Sequence, residues 1–233
     1  DMSKTKKSLD LLLDSPGGMF GSCRYKLPNI DNLDFYENLF KIFDNKSIKY
    51  LFYNGGNDSA DTCLKIALAA KKIGYDLCAV AIPKTIDNDL VVTDNCPGFG
   101  SAAKYIATSA KEAALDLKSM SSTSTKVFIF EVMGRHAGWI AASAELANSI
   151  ESTLVHKNLL PEVSFDEDNF LKGVESDISR NGFCVIVASE GLKNKDGTFY
   201  SESIEEDSFG HKQLGGVAPK IANLIGNKLH LKY

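Results

Sequence analysis

Lys49–Gly74 reads KYLFYNGGNDSADTCLKIALAAKKIG. Lys49–Asn54 is short, aromatic and apolar, the composition of a strand, and it runs into the glycine pair Gly55–Gly56. Beyond the loop, Cys63, Leu64, Ala67, Leu68 and Ala70 recur at helical spacing until Gly74 stops the pattern. Strand, glycine loop, helix is thus the local order. Working outward, strand-like runs return at Leu77–Ile82, Lys126–Val132 and Phe183–Ser189, each leading into a Gly, Pro or polar turn. Helical stretches are expected at Phe99–Leu117 and from Ala137 to about Ser149, with Lys118–Thr125 as a polar connector. The alternation predicts an α/β protein with largely parallel sheets, whose ligands collect at the carboxyl ends of the strands.

Composition narrows the class. The 233 residues are 44% hydrophobic and 24% charged, which is enough apolar chain for a core. With 26 basic against 30 acidic residues the formal charge is −4, giving no surplus for nucleic acid or an anionic membrane. The five cysteines are odd in number and form no CxxC pair, so neither a disulfide framework nor a zinc knuckle is suggested. No apolar run approaches the ~20 residues that span a bilayer, and DMSKTKKSLD lacks a secretion signal's hydrophobic stretch. The expectation is a cytoplasmic chain.

Four strand-end loops carry the chemistry. Gly55, Gly56, Asn57, Asp58 and Ser59 join a strand to a helix, where backbone N–H groups and the helix N-terminus suit a phosphate; a tight turn capped by Asp58 or Ser59 is the alternative. Asp58 would repel a phosphate unless a cation compensates, and Lys84 in Pro83–Leu90 (PKTIDNDL) supplies one. If that segment stays extended, Thr85, Asp87 and Asp89 share a face, one carboxylate free to take a hydroxyl proton and another to orient a metal. Arg135, ending KVFIFEVMGR, has the planar fork that suits a transferring phosphoryl group; His136 reads as structural and Trp139 as core. Glu190 in SEG can accept sugar hydroxyls, GHKQLGG adds His211, and Arg24 after PGGMFGSC is a further phosphate contact or a surface arginine.

In order, GGMFGSCR, GGNDS, PKTIDND, GFGSA, MGRHAGW, PE, ASEG and GHKQLGG resemble the phosphofructokinase family over roughly Pro16–Pro219. The resemblance implies two Rossmann-like three-layer domains with mostly parallel sheets and an active site in the cleft between them. It places a phosphoryl-donor domain at 1–97, with 217–233 returning to it, and a sugar-phosphate domain at 98–216. It implies Asp87 as general base supported by Thr85 and Asp89, and Met133, Gly134 and Arg135 as substrate and transition-state contacts. Glu190 and His211 would hold fructose 6-phosphate. Lys126 stands where the family places a cation for the sugar phosphate, often reaching a neighbouring subunit, and a homo-oligomer is expected.

ATP-using members carry glycines at the positions of Asp58 and Lys84. A carboxylate and an ammonium there leave less room for a nucleotide and suit pyrophosphate, so the chain resembles the pyrophosphate-dependent branch, with Mg²⁺ as cofactor and a reversible reaction. An ATP-dependent kinase and a non-catalytic subunit of the same fold are the alternatives. Two departures stand out: Asn57 replaces a metal-associated aspartate, its oxygen still able to ligate beside Asp87 acting through water, and Leu214 replaces a sugar-phosphate arginine. Family members also extend beyond both ends of this sequence, so the chain is expected to be a piece of a longer protein or one of two companion chains, with exposed sheet edge and apolar surface.

Overall fold

The computed structural model describes residues 10–15, 21–23, 25–206, 212–214 and 216–233. Arg24 and His211, both expected at the site, lie outside these residues.

Two parallel sheets organise the chain. In the first, β1 (Tyr50–Gly55) and β2 (Cys78–Pro83) pair in register from Tyr50↔Cys78 to Gly55↔Pro83. Helices α1 (Leu33–Asn45) and α2 (Asn57–Ile73) cover one face with Tyr36, Phe40, Ile66, Ala69 and Ala70. Asn32 caps α1 by accepting the Phe35 N–H at 3.3 Å, and α2 stops at Gly74, whose φ of 81° is the left-handed value glycine tolerates. Side chains alternate across a strand, so the remaining row faces the other way. There Tyr50 and Phe52 are 70% and 64% exposed, with Val80 and Ile82 exposed beside them. The apolar surface expected from the sequence is present.

The second sheet has the order β3 (Val127–Val132), β5 (Cys184–Ser189), β4 (Lys157–Leu159), all parallel. All six residues of β5 are buried. Val185 and Val187 face Ala110, Ala114 and Leu117 of α3 (Phe99–Met120) and Ile140 and Ala141 of α4 (Trp139–Ser143). Cys184, Ile186 and Ala188 face Phe170 and Val174 of α5 (Glu167–Asn181) and Ile221 and Ile225 of α6 (Val217–Leu229). Helices on both faces make this unit three-layered. A small antiparallel pair, β6 (Glu202–Glu206) and β7 (Lys212–Leu214), precedes α6.

All four strands expected from sequence are present, shifted by at most one residue. Four expectations need correction. The segment 217–233 was placed with the first unit, yet Val217, Ile221 and Ile225 are fully buried against the second sheet, because that sheet's β3–β5 face offers the apolar surface they match. Trp139 was read as core and is 55% exposed: it opens α4, where Ile140 and Ala141 take the inward positions and turn it outward. The helix expected to reach Ser149 ends its α turns at Ser143 and continues as 3-10 through Ala147. Asn148 then breaks it, its Oδ1 accepting the N–H groups of Leu154 and Val155 at 2.8 Å each. The connector expected from Lys118 begins later, since α3 runs to Met120.

Candidate active site

Parallel pairing of β1 and β2 brings the glycine loop and the PKTIDND loop side by side. The Lys84 N–H donates to the Gly55 carbonyl at 2.8 Å. A Cβ at Gly56 would stand 3.5 Å from the Lys84 carbonyl, and one at Gly55 would collide with the Ser59 side chain. Gly55 is therefore demanded by close packing. The helix begins at Asn57 after Gly56, with no side-chain cap, so the alternative of a cap by Asp58 or Ser59 is overturned. Asn57 and Asp58 are exposed in the first turn of α2, and Lys84 is exposed across from them.

The expected extended run from Thr85 to Asp89 is also corrected. Thr85, buried, bridges to Gly98, and its Oγ1 accepts the Asp87 N–H at 3.1 Å. The chain then bends, and Asn88 takes a φ of 55° while its side chain accepts from Cys96 N at 2.8 Å and donates to the Asp94 carbonyl at 3.3 Å. Those two bonds stabilise a left-handed residue in place of a strand. Asp89 nevertheless reaches the first loop: Asn57 Nδ2 donates to Asp89 Oδ2 at 3.2 Å. An ionised carboxylate only accepts, so the amide nitrogen must face it, which leaves Asn57 Oδ1 for another partner. Asp87 is half-buried, and its Oδ1 is buried with no hydrogen-bond partner. Burial raises the Asp87 carboxyl above its ordinary value, with Asp89 adding to the rise, while Lys84, Arg135 and His136 pull it down.

At the second sheet, the register Val132↔Ser189 sets MGR and SEG side by side. The Glu190 N–H donates to the Val132 carbonyl at 2.9 Å, and the Gly134 N–H donates to Glu190 Oε1 at 3.4 Å. Gly134 has a φ of 135°, and a Cβ at Gly191 would strike the carbonyl of Arg135. Burial raises the Glu190 carboxyl; the Gly134 N–H and Arg135 lower it, and Asp87 and Glu131 raise it. Asp87 thus acts on the Glu190 carboxyl, and Arg135 acts on both. Arg135, acting on a carboxylate from each sheet, links the strand-end loops of the two sheets electrostatically. Met133 is exposed at its border.

Lys126 is not brought to this place. It precedes β3, its N–H bound to the Lys232 carbonyl at 3.2 Å, at the strand end opposite Arg135; six residues of strand span about 17 Å. Sequence reasoning assigned no role to Glu162, whose Oε1 accepts the Gly138 N–H at 2.7 Å and so anchors the far end of the MGRHAG loop. It assigned none to Glu131 either, whose two oxygens accept the N–H groups of Gly216 and Ala218 at 3.0 and 2.9 Å at the start of α6. Both contacts join residues far apart in the chain, so no local pattern announces them. Among the described residues no helix is long and apolar enough to cross a membrane.

Known proteins resemble this chain in sequence and fold. The chain is 52% identical over 231 residues to the pyrophosphate–fructose 6-phosphate 1-phosphotransferase of Halomonas elongata, a match covering 99% of this chain and 55% of that protein. It is equally 52% identical to the enzyme of the same name from Methylococcus capsulatus, with the same coverage. The crystal structure of a pyrophosphate-dependent phosphofructokinase from Nitrosospira multiformis superposes with a TM-score of 0.86 at 48% identity, covering 100% of this chain and 54% of that one. The chain therefore spans about half the length of the relatives it matches. A family model described as phosphofructokinase matches residues 1–233, and with the TIDND, MGR and SEG loops converging as they do, the chain belongs to the phosphofructokinase family.

Proposed function

We propose that this chain contributes the catalytic centre of a pyrophosphate-dependent phosphotransferase, which moves a phosphoryl group reversibly from pyrophosphate to the 1-hydroxyl of fructose 6-phosphate. The observation that carries the reading is Asp87: a half-buried carboxylate with an unpartnered oxygen, influenced by Lys84 and Arg135. An oxygen left without a donor is available to take a hydroxyl proton, and burial makes it a stronger base than a surface aspartate. Lys84 and Arg135 are the basic side chains whose charge reaches that base. Lys84 accounts for holding the donor, and Arg135 for neutralising the charge of the transferred group. Glu190, fixed by Gly134, accepts hydroxyl hydrogens of the sugar and orients it.

Mg²⁺ fits the donors present. Asn57 Oδ1 is the kind of hard oxygen ligand such an ion takes, with Asp87 reached through water so that its oxygen stays open to the hydroxyl proton, and among the described residues no cluster of three His, Cys, Asp or Glu offers a closed cage. An ion held by one or two protein oxygens and by substrate phosphates is the arrangement that Mg²⁺ favours. When bound, it neutralises donor phosphate oxygens.

Asp58 and Lys84 support pyrophosphate over ATP, since a carboxylate in the first turn of α2 crowds a nucleotide while the lysine suits a compact diphosphate. The names of the relatives support the same donor. In this reading the enzyme works in the cytoplasm as a homo-oligomer, with Lys126, remote from its own chain's site, serving a neighbour's. The test is a coupled assay of the complete enzyme with fructose 6-phosphate and each donor in turn. Turnover with pyrophosphate and none with ATP is expected; turnover with ATP alone would overturn the donor assignment.

A further inference from the structure

The two loops that carry Arg135 and Glu190 are joined by a residue to which no role has been given. Ser189 is the last residue of β5 and fully buried. Its hydroxyl donates to the Gly134 carbonyl and accepts the Gly191 N–H at 3.1 Å. A hydroxyl has one hydrogen to give and lone pairs to receive, so a single side chain satisfies one buried group from each loop. The same loops are also tied by the Glu190 N–H to the Val132 carbonyl and by the Gly134 N–H to Glu190 Oε1, but the turn residues themselves carry no side chains. Gly134, at a φ of 135°, has no side chain to limit its turn, and Gly191 abuts the Arg135 carbonyl because it has none either.

We infer that Ser189 is a positioning residue: its hydroxyl holds the MGR loop against the SEG loop, setting the Arg135 and Glu190 side chains at the spacing that binds the sugar phosphate. The consequence is selective. Pyrophosphate is assigned to the loops of the first sheet, which Ser189 does not touch, so loss of its hydroxyl weakens sugar-phosphate binding and, through Arg135's action on the transferred group, lowers kcat, while the KM for pyrophosphate is left alone. This rests on the phosphotransferase reading above.

The test compares Ser189→Ala with Ser189→Thr in the complete enzyme. Alanine strands a buried carbonyl and a buried N–H, and the KM for fructose 6-phosphate is expected to rise about tenfold or more, with the KM for pyrophosphate changed by less than about twofold. Threonine retains the hydroxyl and should restore the sugar KM. Should the alanine variant fail to fold, Ser189→Cys, with its weak donor, takes its place. Equal increases in both KM values, an unchanged sugar KM, or failure of threonine to restore it would overturn the inference. Amide hydrogen exchange at Gly191 gives a readout independent of the substrate: it should accelerate in Ser189→Ala and return in Ser189→Thr. Unchanged exchange in the alanine variant defeats the clamp itself, whereas absence of turnover by the unaltered enzyme defeats the phosphotransferase reading.

Discussion

The two sheets differ in how completely they are covered. Every residue of β5 is buried between α3 and α4 on one side and α5 and α6 on the other. In β1 alternate residues are exposed, and Tyr50, Phe52, Val80 and Ile82 form an apolar row that no described residue covers. Strand sequence explains only part of the contrast: KYLFYN is less apolar than FCVIVAS, yet Tyr50 and Phe52 are large apolar side chains that stay exposed because no described residue packs on them. The second sheet is a rigid base for Arg135 and Glu190. The first, with one face bare, holds Lys84 and Asp87 mainly through strand register and the Asn88 and Asn57 bonds.

The largest effect is expected where the two regions meet. Replacing Asp87 with serine in the complete enzyme should lower kcat by about 10²–10⁴-fold, the range for loss of a general base, with little change in sugar KM. Steady-state kinetics decides it, and a near-normal kcat would remove Asp87 from the base role. The raised carboxyl also predicts a pH profile. The base must be ionised, so kcat/KM should rise with pH through an acid limb displaced above the ordinary aspartate range, and Asp87→Ser should abolish that limb.

Next in size is the stability contrast. Ile186→Ala, in a fully buried position on the second sheet, should cost about 2–5 kcal/mol in denaturant unfolding. Phe52→Ser on the bare row should stay within about 0.5 kcal/mol in the isolated chain. A cost at Phe52 comparable to that at Ile186 would mean the row is covered in solution, and the comparison would fail.

The smallest effect concerns acid. His156 lies at the entry to β4, its Nδ1 accepting the Val185 N–H at 3.1 Å, its ring edge-on to Phe183, and Nε2 buried without a partner. Burial lowers its pKa; Asp177 opposes this and Lys157 adds to it. A depressed folded-state value means the unfolded chain binds more protons between the two values, so stability is lost as pH falls below the ordinary imidazole range. Residues 1–97 contain no histidine, so this loss belongs to the second unit. His156→Gln should flatten the stability profile just below the ordinary imidazole range. A profile unchanged by that variant would assign the slope to other groups.

Much of the fold was legible because its signals are local. Strand runs ending in glycine or polar turns located all four long strands within one residue, and Gly74 marked the end of α2 as expected. Helices α1, α5 and α6 were not anticipated: in α5 the apolar positions, such as Phe170 and Val174, are sparse among charged residues, while the apolar stripes of α1 and α6 gain meaning from the sheets they cover. At the site, Lys84, Asp87, Arg135 and Glu190 were visible as chemistry at strand ends. The extended geometry imagined for Thr85–Asp89 was wrong, because side-chain bonds from Asn88 outweighed the simple period of two.

Sequence by itself determined the strand–loop–helix order, the residue types at each strand end and the family resemblance, since each depends on neighbours within a few positions. Tertiary structure alone decided that α6 packs on the second sheet, that Trp139 faces outward, and that Lys126 lies far from Arg135. It alone decided that Ser189, Glu162 and Glu131 tie the loops together. The physical reason is common to all of them. Burial and hydrogen bonding between distant segments follow from register and packing, and these exist only once the sheets have formed.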